Sequence, residues 1–125
     1  MFRGVSLSGT SNYLIQLGAG SVQSTGYIST SLGQNSSGGV GGLSSTTGFA
    51  LYAQLAAGTT SGAITLQVLH TNIWIADGTF KFSTTEMSSC AGDVSLSGTL
   101  DLVRITTVNG TDTFDAGSIN ILYES

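Results

Sequence analysis

The chain has 125 residues, of which only three are basic and seven acidic. An ordinary soluble domain carries about a quarter charged residues, whereas serine, threonine and glycine occupy 54 positions here and proline is absent. With one histidine and one cysteine in the whole chain, the residues that carry chemistry are scarce, and the composition disfavours most enzyme classes.

A chain of this length is expected to form one domain spanning residues 1–125. The net charge is −4, and Arg3, Lys81 and Arg104 are scattered, so no basic stripe is available for phosphates and we expect no nucleic-acid binding. The longest apolar run, residues 49–57, is far shorter than the about 18 residues of a spanning helix, so we expect no membrane insertion. Because surface charge keeps isolated domains dispersed, the low charge favours a homo-oligomer whose neighbours cover part of the surface.

In the first half of the chain, apolar and polar residues alternate with the period of two that is typical of half-buried strands. The predicted strands span 5–8, 13–17, 22–32 and 49–55. Turn residues at 9–12 and glycines at 18–20 separate the first three. Residues 33–48 form the longest low-complexity stretch and are predicted to be a flexible loop. A short helix is the alternative for 49–55.

The second half continues as short strands separated by turn residues. The predicted strands span 64–69, 73–76, 80–82, 94–97 and 100–108, and the short segments 113–114 and 119–123 close the chain, the latter with Ile119, Ile121 and Tyr123 on one face. Asp77-Gly78 and Asn109-Gly110 are strong signals for two-residue hairpin turns, and residues 83–93 are predicted to form a second polar loop. The adjacent Leu102 and Val103 indicate a bulge or a strand buried on both faces.

About nine short strands with a turn roughly every 8 to 12 residues are typical of a sandwich or jelly roll. We therefore predict an all-β fold, a single-domain antiparallel β-sandwich that is jelly-roll-like.

The reactive side chains do not form a recognisable catalytic pattern. Cys90 is interpreted as a small buried apolar residue, since a nucleophile would need a nearby base and basic surroundings. His70 stands alone at a predicted strand end and is interpreted as structural. One histidine and one cysteine cannot complete a zinc site without two carboxylates. We therefore predict no catalytic residue, no metal and no cofactor.

The acidic side chains leave two alternatives open. Oxygen ligands clustered in residues 109–115 can hold calcium, although turn chemistry explains Asn109 and Asp112 equally well. A carboxylate pair for glycoside hydrolysis would have to come from the four aspartates after residue 90, and no spacing singles out a pair. These are Asp93, Asp101, Asp112 and Asp115.

Two tyrosines are the candidate contacts with a receptor or partner. Tyr27 and Tyr52 lie in more polar surroundings than Trp74, which is flanked by Ile73 and Ile75 and is interpreted as core. A tyrosine ring in such surroundings can stack on a sugar or pack against a partner. Packing in the core or in an interface is the alternative for both.

Two segments carry a resemblance to a known family. Residues 4–18 read GVSLSGTSNYLIQLG and are followed by TGY at 25–27, and the closing run 102–124 reads LVRITTVNGTDTFDAGSINILYE. Together with residues 47–49 and 72–76, they resemble a β-rich module of tailed bacteriophages and prophages, often found at the C-terminal end of tail-fibre-like virion proteins. The resemblance covers nearly the whole chain. It implies a virion structural role, commonly trimeric and at a fibre tip, without a catalytic residue.

This resemblance gives two structural hypotheses for function. The first is a trimeric tail-fibre or receptor-binding module on the virion that presents residues 33–48 and 83–93 to the host surface, with a surface glycan as partner. The second is a capsid decoration protein that bridges capsomers by burying interface area. A third hypothesis, from another class, is a carbohydrate-active hydrolase, and the absence of a carboxylate signature argues against it.

The chain departs from the related modules at its start. Related modules begin with a further strand upstream of Gly4, where this chain has only Met1, Phe2 and Arg3.

Overall fold

The computed structural model describes residues 1–124, which contain ten β-strands and no helix. The strands are β1 (Phe2–Leu7), β2 (Tyr13–Gly18), β3 (Tyr27–Asn35), β4 (Val40–Ser45), β5 (Phe49–Leu51), β6 (Thr60–His70), β7 (Ile73–Lys81), β8 (Glu86–Ser95), β9 (Leu102–Thr107) and β10 (Phe114–Ile119). Accordingly, this part of the chain has no helix that would span a bilayer.

The strands form two antiparallel sheets. The larger has the order β10-β1-β6-β7-β8-β3-β4 and the smaller has the order β5-β2-β9. The predicted all-β, antiparallel sandwich is therefore confirmed, while its jelly-roll character stays a prediction.

The core lies between the two sheets and consists mainly of aromatic and branched aliphatic side chains. Phe2 packs edge-on against both Phe80 and Tyr13, with ring centroids 5.5 and 5.9 Å apart. Burying one such side chain stabilises the fold by about 1.5 to 3 kcal/mol. Trp74 is partly buried against this core, as its isoleucine neighbours indicated. The central strand β2 is buried on both faces, because the segment before β5 crosses its outer face, where Gln16 Nε2 donates to the Thr47 carbonyl over 2.8 Å.

The flexible loop predicted for 33–48 is wrong. β3 continues to Asn35 and β4 begins at Val40, so only residues 36–39 form the turn of a regular hairpin. The alternation of apolar and polar residues is weak here because Gly33 and Gly41 occupy inward-facing positions of the hairpin. The ring of Tyr52 fills the space beside them. Pairing on both sides of β3, with β4 and β8, makes this glycine-rich stretch a strand.

The loop predicted for 83–93 is also mostly strand, since β8 begins at Glu86. Two of its inward positions are the small residues Ser88 and Cys90, both buried. The segment therefore lacks the clear alternation of apolar and polar residues that identifies a half-buried strand. The turn that precedes β8 is confined to the four residues after β7.

The predicted hairpin at Asp77-Gly78 is wrong because both residues lie inside β7, opposite Thr65 and Ile64. Gly78 allows β6 and β7 to approach closely, since a Cβ there would lie 2.6 Å from the Ala63 carbonyl oxygen. The turn between β6 and β7 lies instead at Thr71-Asn72, where Asn72 adopts a φ of 62°.

The remaining differences between the predicted and the observed strands and turns follow from which strands pair with each other. Asn109-Gly110 is a turn, with Gly110 at a φ of 69°, but it leads from one sheet to the other, since β9 pairs with β2 and β10 with β1. β9 pairs with β2 without a bulge. The predicted strand 49–55 is shortened to β5, with no helix, and the predicted strand 119–123 ends at Ile119.

The turn before β10 is tied to the β1–β2 turn by one carboxylate. Asp112 Oδ2 accepts the backbone N–H of Ser11 over 2.9 Å, and Oδ1 accepts Asn109 Nδ2 over 2.9 Å. Both carboxylate oxygens of Asp112 thus accept hydrogen bonds within the turn, and residues 1–124 contain no group of three or more His, Cys, Asp or Glu side chains that could hold a metal ion. The hydrogen bonds from Asn109 and from Ser11 lower the pKa of Asp112 below its ordinary value of 3.8.

Asp112→Ala is expected to lower the melting temperature at neutral pH. Because the pKa of Asp112 is lower in the folded than in the unfolded protein, its bonds stabilise the fold above the unfolded pKa, and this contribution is lost as pH falls through the folded pKa. The difference in melting temperature between wild type and Asp112→Ala should therefore be full at neutral pH and shrink below about pH 4. A difference that is constant from pH 7 to pH 2 would contradict this role of the charge.

Candidate functional site

Tyr27 is a core residue and does not reach the surface. Its side chain is 1% exposed, and its hydroxyl accepts the Leu17 N–H over 2.7 Å and faces the Leu17 carbonyl at 3.3 Å. Its ring packs edge-on against Phe49 with centroids 5.1 Å apart. Burial raises the pKa of the Tyr27 hydroxyl. The prediction of Tyr27 as a receptor contact is therefore corrected, since a buried ring with a bonded hydroxyl is not available to a ligand.

Tyr52 is half-buried and lies at one end of the sandwich, directly after β5. Its ring crosses Gly33 of β3 and Gly41 of β4, where any Cβ would overlap Tyr52 Cδ1 and Oη respectively. The edge of Phe82 supports it, with ring centroids 5.9 Å apart. The Tyr52 N–H donates to Ser31 Oγ over 3.0 Å. Backbone, glycines and one aromatic neighbour thus fix this ring in place.

The tips of the two predicted loops meet beside Tyr52. Ser36 N–H donates to the Thr85 carbonyl over 2.8 Å, so the β3–β4 turn and the β7–β8 turn are bonded to each other. Asn35 holds the first turn, because its Oδ1 accepts the N–H groups of Ser37 and Gly39 at 3.0 and 2.8 Å. Although most of the two predicted loops is strand, their tips do lie together at one end.

These tips surround an open depression of about 590 Å³. Its lining consists of Gln34, Asn35, Ser36, Gly38, Lys81, Ser83, Thr84, Thr85, Glu86 and Met87. A smaller cavity of about 150 Å³ adjoins it and is bordered by Tyr52 and Phe82. The two share Asn35 and Glu86, so we treat them as one site, which we call the tip site.

The tip site is rich in hydroxyl and amide groups and nearly balanced in charge. Lys81 and Glu86 are its charged residues, and Lys81 Nζ donates to the Thr59 carbonyl over 3.1 Å. Tyr52 Oη has no hydrogen-bond partner within residues 1–124 and is not a buried unsatisfied group. An aromatic face beside neutral donors and acceptors suits a neutral, hydroxylated ligand better than a phosphate.

The reactive side chains lie away from this site. His70 is at the turn end of the β6–β7 hairpin, opposite Ile73, whereas Lys81 is at the other end of β7. Cys90 is buried, and burial, followed by the charge of Asp77, raises the pKa of its thiol to about 12. A thiol with this pKa stays protonated at neutral pH and is unreactive, which agrees with its interpretation as a small apolar residue.

Sequence reasoning identified Tyr52 but missed its neighbours. Phe82 was assigned to a short strand, and the contribution of Asn35 and Glu86 was not recognised. Asn35 could have been found from the Asn-Ser-Ser-Gly-Gly segment, since asparagine before small residues is a turn signal. No local pattern reveals Phe82, because its contact with Tyr52 joins two residues that directly follow strands of different sheets.

Comparison with protein-family models, with curated proteins and with solved structures found no match. The fold and the site therefore define the protein by its class: a β-sandwich with low surface charge that carries a polar, aromatic-bordered tip site.

Proposed function

We propose that this chain is a non-catalytic binding module of a bacteriophage virion, a trimeric tail-fibre or receptor-binding protein that contacts a host-surface glycan. The resemblance of residues 4–18 and 102–124 to phage virion modules supports the virion role. The observation that carries the receptor role is the exposed part of the Tyr52 ring, fixed over two glycines beside hydroxyl and amide groups.

This arrangement matches the chemistry of sugars. A sugar ring has a face of C–H groups that packs on an aromatic ring, and a rim of hydroxyls that need donors and acceptors. Tyr52, which borders the smaller cavity, offers the first, while Ser36, Thr84 and Thr85, which line the adjoining depression, offer the second. A single open site of this kind binds weakly, and several copies in one homo-oligomer gain avidity by acting together.

Tyr52→Ala is expected to weaken binding of the isolated protein to host-surface polysaccharide by about tenfold or more. The reason is the loss of the stacking face, while the β3–β4 hairpin keeps its pairing. Isothermal titration or a glycan array measures this. Thr84→Ala should reduce binding to a smaller extent through loss of one hydroxyl.

Two variants serve as controls for this prediction. Tyr52→Phe keeps the ring and should retain most of the binding, because the hydroxyl makes no bond within residues 1–124. Thr99→Ala matches Thr84→Ala but lies in the exposed turn between β8 and β9, outside the tip site, and it should bind as wild type. Equal binding by wild type and Tyr52→Ala would contradict the receptor role of the tip site.

A capsid decoration protein is the second candidate, favoured by the outer face of the larger sheet. Ile28, Leu32, Val40 and Met87 are all exposed on β3, β4 and β8, and neighbouring Thr30 and Ser89 are uncharged. Such a face suits burial against capsomers. Imaging of gold-labelled protein on the particle separates the candidates, because fibre ends support the first and a capsid surface with hundreds of labels supports the second. Hydrolysis of host polysaccharide by the purified protein would contradict both.

A further inference from the structure

We propose that residues 121–124 of one copy add as an extra strand to the open edge of β6, residues 63–68, of a neighbouring copy. The inference rests on the homo-oligomer in the proposed function and is independent of glycan binding at the tip site. It names the contact through which copies of this chain hold one another.

The acceptor is a strand edge without a partner. β1 pairs with β6 only at Thr60 and Gly62, so within residues 1–124 the edge from Ala63 to Val68 has no strand on the β1 side. On its other side β6 pairs in regular register with β7 from Ser61 to Val68. The open edge is therefore straight for six residues, or about 20 Å, and presents unpaired backbone donors and acceptors.

This edge lacks the devices that usually prevent strand addition. Proteins protect exposed edges with lysines, prolines, inward-facing charges or bulges, and the segment AITLQV has none of these. Of the other free edges, β9 contains Arg104, β10 contains Asp115 and pairs through a bulge near Gly117, and β5 has only three residues. The edge strand β4 also lacks these devices, but its sequence VGGLSS is rich in glycine and serine, so the edge of β6 offers more apolar side chains to an added strand.

The side chains beside this edge are also incompletely covered. Ile64 and Leu66 are only partly buried against the core, and Val68, opposite Trp74, is 57% exposed. An added strand would place apolar side chains next to this row, which is how cross-strand pairs stabilise a sheet.

The donor is the segment that follows β10. Asn120 is the last residue with a backbone pairing, exchanging bonds of 2.8 and 2.9 Å with Met1. Beyond it Ile121, Leu122 and Tyr123 are 62%, 73% and 80% exposed. These three residues fall in the predicted strand 119–123, and the four-residue segment 121–124 fits within a six-residue edge.

The geometry of one chain keeps its own tail from this edge. In the order β10-β1-β6, the tail lies on the far side of β1, roughly two strand spacings or about 10 Å from β6. The two bonds between Met1 and Asn120 hold it there. A second copy is not bound by this connection, so its tail can enter beside β6 and satisfy both the open edge and its own unpaired backbone.

The test uses two forms of the full chain in a Cys90→Ala background. One carries Thr65→Cys, in the middle of the open edge, and the other carries Leu122→Cys, in the middle of the tail. We expect a short bis-maleimide to link the two forms when they are mixed. A mixture of the Leu122→Cys form with an Ile28→Cys form, exposed on β3, should give far less product.

Oligomer mass provides the second measurement, by light scattering on the wild type and on an Ile121→Asp, Tyr123→Asp double variant. Both residues are exposed, so the variant should fold normally, and its subunit dissociation constant should rise by about tenfold or more. An oligomer that survives these changes without the crosslink overturns the tail contact but leaves the oligomeric function standing. A wild type that is monomeric at all concentrations overturns both, while glycan binding tests the tip site separately.

Discussion

Tyr27→Ala is expected to unfold the protein or leave it close to unfolding, rather than to remove a receptor contact. Truncating a fully buried aromatic side chain costs about 3 to 5 kcal/mol, and here it also removes the hydroxyl that accepts the Leu17 N–H over 2.7 Å. Since a domain of this kind is stable by only about 5 to 15 kcal/mol, this is a large share. Urea unfolding followed by tryptophan fluorescence measures the loss.

Tyr27→Phe separates the ring from the hydroxyl. The ring still packs on Phe49, but the Leu17 N–H is left without its partner, which costs about 1 to 3 kcal/mol. The Leu17 carbonyl is less affected, because it also accepts the Gln23 N–H over 2.9 Å. If Tyr27→Ala were as stable as wild type and bound glycan more weakly, the assignment of Tyr27 to the core would be wrong.

Gly62→Ala is the second change with a large expected effect, because Gly62 lies in the middle of the larger sheet between Phe2 and Phe80. Its φ is +156°, and a Cβ there would overlap the Thr79 carbonyl oxygen and lie 2.7 Å from Phe80 Cα. A clash with backbone cannot be relieved by rotating a side chain. Strain and overpacking together should cost roughly 2 to 6 kcal/mol.

Thermal unfolding measures this effect, and each kcal/mol lowers the melting temperature of such a domain by roughly 3 to 6 °C. Gly98→Ala is the matched control, since its nearest heavy atom would be Ala19 Cβ at 3.5 Å, an ordinary contact. It should change stability by no more than about 0.5 kcal/mol. Equal melting temperatures for the two variants would show that the sheet can shift to accept a side chain at Gly62.

The strands that the sequence predicted well are those whose buried face is apolar. The alternation of Tyr13, Ile15 and Leu17 identified β2, and that of Ile64 and Leu66 identified β6. The strands missed were β4 and the first half of β8, whose inward positions are mostly small: Gly41 and Ser45 beside the single Leu43 in β4, and Ser88 and Cys90 in β8. Their identity as strands comes from hydrogen bonds to neighbours distant in sequence, which leave no local hydrophobic pattern.

The two candidate receptor contacts, Tyr27 and Tyr52, differ in exposure for a similar reason. Tyr27 stands between Gly26 and Ile28, and Tyr52 between Leu51 and Ala53, so the flanking residues do not predict that Tyr27 is the more buried of the two. In the fold, Tyr27 faces the smaller sheet and is enclosed, whereas Tyr52 follows a short strand at the end of the sandwich and remains half-buried. The difference depends on where each strand lies between the sheets.

The sequence by itself determined the class of fold and the scarcity of chemistry, because the period of alternation and the counts of reactive side chains are properties of the chain alone. Only the tertiary structure decided which tyrosine is exposed, that the two turns join beside it, and that the edge of β6 is open. Each of these depends on pairing between residues far apart in the chain, and such pairing is set by the packing of whole sheets.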